Sequence, residues 1–232
     1  PYCCTSRKNR MVVDWVKDLL TVTDLEWNLF IFNRDPFSNK IKTEEQLDYA
    51  SKATSCGKNL ARRLKHDFGD ASSKEIVKML GLNLSFDNGQ NNSGQSLFAY
   101  FEEPDSITIF QDNAIATDTL LEEQDWSNVL GNVKTSDLLI AHELYHYFEH
   151  KEPDFFTAQK HIQLWKLGIL EKRSRIMCLE EIGAMAFAKE LTGLLCSPYI
   201  FNVLMLYPHN QQRSQRLYES IMRFKKTREM QQ

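Results

Sequence analysis

No two of the five cysteines, Cys3, Cys4, Cys56, Cys178 and Cys196, stand in Cys-x-x-Cys spacing. Their number is odd, and no signal-peptide pattern accompanies them. That argues against a disulfide scaffold or a cysteine-ligated metal and predicts reduced thiols in a cytoplasmic protein. A chain of 232 residues needs no such scaffold, because at this length roughly 70–75% of the unfolded surface can be buried. Long apolar runs are also missing, which excludes a membrane-spanning helix from the expectation. So is an excess of positive charge: the formal net charge is -3, and a dominant nucleic-acid surface is not expected. Internal repeats and long low-complexity tracts are absent. The chain starts at Pro1 and not at Met, so its first ten residues are expected to be trimmed or foreign and carry no weight.

What is present is ordinary globular material, 42% hydrophobic and 25% charged, with a change of period along it. Residues 11–32 read as amphipathic and helical at first. Residues 44–67 carry Leu47, Ala50, Leu60 and Leu64 at helical spacing. Ser72-x-x-Glu75 is a capping box that opens a short helix, and Gly81 closes it. Residues 89–95 read as a loop. SLFAYF (96–101) and SITIF (106–110), separated by Glu-Glu-Pro-Asp, predict a hairpin. Residues 111–134 read as irregular. Thr135, Ser136 and Asp137 offer N-cap chemistry to the next helix. Further helices are expected near 155–170 and 175–196, the second broken by Pro198, and a basic amphipathic helix forms the tail. Helices, a small sheet, then helices make an α+β fold, mostly helical, with a small antiparallel or mixed sheet. The chain divides into an N-terminal helical extension (1–43), a central domain (44–200) and a basic C-terminal helix (201–232).

The most informative stretch is LLIAHELYHYFEH (138–150). Residues four apart share a helix face, so His142 and His146 can point two imidazoles at one ion. Glu143, turned by about 100°, cannot easily join them but can reach a water at the ion. Two satisfied histidines on an ordinary helix would look the same in sequence, but buried imidazoles and carboxylates need partners, and a metal supplies one. A catalytic zinc needs a third protein ligand and an open position. His150 is excluded, because eight residues of helix rise about 12 Å. The segment CLEEIGAMAFAKEL (178–191) offers Glu180 and Glu181 on a helix made slim by Gly183, Ala184, Ala186 and Ala188. Such a helix can pack close enough to bring a carboxylate to the ion, and spacing alone leaves both acids open.

From about residue 60 to 200 the chain resembles the ImmA/IrrE family of metallopeptidases. The resemblance rests on MLGL (79–82), ITIF (107–110), AHELYH (141–146) and Glu181-Ile-Gly-Ala184-Met-Ala-Phe187-Ala188, followed by Leu194, Leu195 and Pro198. It implies a zincin-like metallopeptidase fold, Zn2+ as cofactor, His142, His146 and Glu181 as its ligands with Glu180 as the fallback, and Glu143 as the catalytic base. It implies a zinc-dependent endopeptidase acting on a specific protein substrate, a DNA-binding repressor of the helix-turn-helix kind. Direct nucleic-acid binding and a membrane partner are not expected. ITIF is either an edge strand that pairs with substrate or plain sheet core. Tyr145, Tyr147, Tyr199 and His161 are the candidates for stabilising an oxyanion. The chain departs from the family at Met185, where Asn or Asp is usual and orients a ligand imidazole. It departs also in its lysine-rich insertion at 151–176, expected to be a lid or partner-binding element. The alternative is a catalytically weak or inactive member of the fold that regulates a repressor by binding.

Overall fold

The computed structural model describes residues 2–88, 97–152, 154–167 and 170–230, with the side chains of residues 2–9 left aside. The expected loop at 89–95 lies outside the described residues. Helix α1 (Tyr2–Leu20) is followed by α2 (Asp24–Asn33), opened by a capping box between Thr23 and Glu26. A 3-10 turn (Ser38–Lys40) leads to the long α3 (Thr43–Phe68). The box between Ser72 and Glu75 opens α4 (Ser73–Met79), and Gly81, at φ 71°, takes the left-handed conformation after its end. Glycine suits that position because it lacks the Cβ that would clash.

Three strands then form a mixed sheet: β1 (Asn83–Asp87), β2 (Ala99–Glu102) and β3 (Ser106–Phe110), in the order β1-β3-β2. The β2–β3 hairpin pairs Ala99 with Ile109 and Glu102 with Ser106. The sequence did not point to β1, which lies parallel to β3. ITIF is therefore the central strand, and its role as a substrate-pairing edge is corrected. Ile107 and Ile109 are fully buried, and an apolar strand with both neighbours paired has no free edge. The outer strands are β1 and β2, and of these β2 lies beside His142 and His146.

Residues 111–134, expected to be irregular, fold as α5 (Gln111–Glu123) and α6 (Ser127–Leu130). Ala114, Thr117 and Leu120 form the buried stripe of α5. Its threonines and acids hid the period, and burial of Thr117 is tolerated because its hydroxyl donates to Asn113 O at 2.8 Å. Helix α7 (Thr135–Lys151) carries the histidines. Its start is capped from another element: Asp118 of α5 accepts from the Thr135 amide at 2.9 Å and from its hydroxyl at 2.6 Å.

The helix expected over 155–170 is not there. A single turn, α8 (Phe156–Gln159), precedes a hairpin of β4 (His161–Leu167) and β5 (Leu170–Arg175). Ile162 and Leu164 are the half-buried positions of β4, a period of two that a short apolar run does not distinguish from a helix turn. Helix α9 (Cys178–Thr192) ends at Gly193, φ 70°, rather than at Pro198, which instead precedes α10 (Tyr199–Leu206). Helix α11 (Gln211–Glu229) is the expected basic tail. No helix among the described residues is long and apolar enough to cross a membrane.

One hydrophobic cluster runs from Val12 and Leu19 of α1 through Ile107, Leu144 and Phe187 to Ile221 of α11. The N-terminal and C-terminal helices thus share the core of the central segment. The closest approach in that core is α3 against α9. A Cβ on Gly57 would lie 2.1 Å from the carbonyl oxygen of Gly183, and one on Gly183 would lie 2.3 Å from the Tyr145 hydroxyl of α7. The slim face of α9 is what lets it sit between α3 and α7.

Candidate metal centre

Close packing of α9 on α7 brings three groups to one point. The Nε2 atoms of His142 and His146 are 3.2 Å apart. His142 Nε2 is 3.4 Å from Glu181 Oε2, and His146 Nε2 is 3.9 Å from Glu181 Oε1. A regular tetrahedron with bonds of about 2.0–2.1 Å has edges of about 3.3–3.4 Å. The separation of the two imidazole nitrogens is close to such an edge, and each of them faces a different oxygen of the half-exposed Glu181 carboxylate. The donor set fits a divalent cation with two imidazole nitrogens and one carboxylate. It does not single out zinc, since several divalent ions accept such donors.

The three groups set one another's charge. Burial works against a charged His142, but the Glu181 carboxylate outweighs it and holds His142 up at about 9. Burial and the charge on His142 push His146 down to about 4. Burial opposes ionisation of Glu181 as well, yet His142 holds it down at about 2. One positive charge is thus shared among three groups, and an ion would satisfy the same demand with both imidazoles neutral.

The two neighbouring acids take different parts. Glu181 faces the histidines, whereas Glu180 meets the Arg175 guanidinium at 2.8 Å. Arg175 also donates to Glu149 at 2.6 Å, and buried Glu149 accepts a further bond from the Thr157 hydroxyl, which lies 2.8 Å from Tyr145 Oη. Glu149 and Glu180 come within 4.8 Å of a His146 ring nitrogen and form a second group able to hold a metal. These carboxylates are the polar neighbours of His146; Met185 lines the cleft and offers it none.

Glu143 is buried beside His142. Its carboxyl is pushed up to about 7 by burial, opposed by the His142 charge and by a bond from the Phe101 amide. That amide belongs to the free edge of the sheet. Phe110 N donates to Phe98 O at 3.0 Å. The alternation of an antiparallel ladder then turns the backbone groups of Ala99 and Phe101 away from β3, toward α7. The cleft between them, about 390 Å³, is lined by Ala99 to Phe101 on one side and by His142, Glu143, His146 and Glu181 on the other.

None of the four expected oxyanion donors lines this cleft. Tyr145 is spent on Thr157, Tyr147 packs edge-on against Phe101, Tyr199 stacks on Trp27, and His161 Nδ1 lies 2.6 Å from Gln159 O. His150 pairs with Glu103 at 3.0 Å, away from the other histidines. The donor that sequence reasoning missed is Asn202, which does line the cleft. Its signal was a lone amide inside the apolar helix YIFNVLML.

No family model, curated protein or solved structure matches this chain.

Proposed function

We propose that the chain is a metal-dependent endopeptidase of the ImmA/IrrE kind, with His142, His146 and Glu181 holding Zn2+ and Glu143 as general base. The observation that carries this reading is the convergence of those four side chains in a cleft whose other wall is an unpaired strand edge. An extended peptide can add to β2 through the outward groups of Ala99 and the carbonyl of Phe101, whose amide is held by Glu143, and this lays its backbone across the site. Zinc held there supplies Lewis acidity, which acidifies water to a pKa of about 7 and polarises a carbonyl. Glu143 receives the proton of the attacking water and returns it to the leaving amine. Its low-dielectric setting and single amide bond keep its proton affinity high enough for both transfers. Asn202, which lines the cleft, is the candidate donor to developing negative charge on the carbonyl oxygen. The substrate class follows from the resemblance alone: a helix-turn-helix repressor, released from DNA by cleavage.

The test requires no known substrate. Zinc-loaded protein and Glu143→Gln are incubated with a proteome-derived peptide library, and new termini are read by mass spectrometry. The expected result is a consistent cleavage motif with wild type and none with Glu143→Gln, at equal metal content. Equal cleavage by both would end this reading.

Met185 favours a second reading, in which the fold controls a repressor by contact. In that case Glu143→Gln releases the repressor from DNA as well as wild type does in a mobility-shift assay.

A further inference from the structure

A second and larger concavity, about 1010 Å³, opens between α2 and α11. Arg213, Arg216, Arg223 and Arg228 line it from α11, and Arg34 faces them from α2. No Asp or Glu lines it among the described residues. The chain as a whole is acidic, at -3, so five guanidinium groups on one concave surface are segregated, not a reflection of composition. Lys225 and Lys226 lie on the same helix but outside the groove, and Lys225 pairs with Glu229 at 2.9 Å. Arg216, Arg223 and Arg228 have no carboxylate partner among the described residues. A groove that selects arginine over lysine suits planar, forked recognition of carboxylates.

Two features give the occupant its shape. From Arg213 to Arg228 the helix rises about 22 Å, the length of about seven residues of extended chain. Phe98 and Asn202 line both this groove and the metal cleft, so the two are neighbours that share a wall. We propose that the arginine groove binds an acidic extended segment of a protein partner, which on the peptidase reading is the same polypeptide whose scissile bond lies in the cleft. Apolar side chains between the acids rest on Leu217 and Phe224, which floor the groove. Nucleic acid is the competing polyanion. The peptide is preferred because the groove lies beside a cleft walled by an outer strand of the sheet, and because Phe30 and Phe224 already pack edge to face at 5.7 Å with Arg34 over Phe30.

The experiment uses the 232-residue chain, wild type and Arg216→Glu/Arg223→Glu, with circular dichroism and a thermal melt to show that the double variant is folded. Fluorescein-labelled octaglutamate, octaglutamine and an oligothymidylate of the same length are titrated by anisotropy. Octaglutamate is expected to bind wild type, to weaken about tenfold or more in the double variant, and to weaken as salt rises from about 50 to about 300 mM. Octaglutamine is expected not to bind. Equal octaglutamate affinity in both proteins, or tighter binding of oligothymidylate than of octaglutamate, overturns the proposal. A second arm appends the glutamate stretch to a quenched peptide carrying the library-derived motif. The tailed peptide is expected to be cleaved with about tenfold higher kcat/KM through a lower KM, an advantage that disappears in the double variant. An equal advantage in both proteins also overturns it. Arginine-dependent octaglutamate binding with no peptide cleaved by any protein would sink the peptidase reading and leave the groove as an acidic-partner site.

Discussion

Helices α7 and α9 and the β4–β5 hairpin that joins them in sequence are opposites. The helix pair is held by its neighbours. Ala141, Leu144, Tyr145, Ala184 and Phe187 are wholly buried, and the backbone of α9 approaches that of α3 with no room for a Cβ at Gly57. The hairpin is held mainly by itself. Trp165, Leu167 and Leu170 are 50%, 75% and 61% exposed, and its firm attachment is at its base, where Arg175 joins Glu149 and Glu180. The site's geometry depends on the first region and on one residue at the foot of the second. A metal centre needs ligands held in place by packing from several sides, whereas a two-stranded arm is stable only as an extension of something else.

That contrast can be broken or sharpened by four measurements. Gly57→Leu is expected to have the largest effect, roughly 4 kcal/mol, because two helix backbones must separate to admit the side chain. Denaturant melts would show it, and zinc content should fall with it, since α9 carries Glu181. A cost of only about 1 kcal/mol would mean that the two helix backbones separate easily and the α3–α9 contact is loose. Next, Arg175→Leu leaves Glu149 buried without its cation and is expected to cost about 3 kcal/mol. If Arg175→Leu is neutral, the hairpin base is not an anchor. Zinc at about 100 times its Kd is expected to stabilise wild type by about 2.7 kcal/mol. Chelation, or Glu181→Ala, removes that gain, and an unchanged melting midpoint after chelation would disconnect the metal from the packed region. Smallest of all, Trp165→Ser and Leu167→Ser are expected to stay within about 0.5 kcal/mol, as exposed positions do. A large loss from either would show that the arm is covered in solution.

The same contrast explains what could be read in advance. The i, i+4 pair His142 and His146, the adjacent Glu143 and the small-residue face of α9 follow from helix periodicity, and the structure brings them together. The capping box at Ser72 and the β2–β3 hairpin are local signals of the same kind. Helix α5 was hidden because its stripe includes Thr117, whose suitability depends on a bond made only inside the helix. Strand β1 was hidden because NLSFD has little apolar content and pairs with a strand far along the chain. The β4–β5 hairpin was mistaken for a helix because Ile162, Leu164 and Trp165 fit either period over so short a run.

Sequence alone determined the chemistry available: two imidazoles and a carboxylate on one helix turn, two acids on a slim helix, and arginines spaced along the tail. Tertiary structure turned Glu181 toward both histidines and Glu180 toward Arg175, put β3 at the centre of the sheet with β2 outermost beside the cleft, brought Asn202 to the cleft, and set Arg34 opposite α11. Each of these depends on which surfaces meet, and that is settled by packing between residues distant in the chain, which no local period encodes.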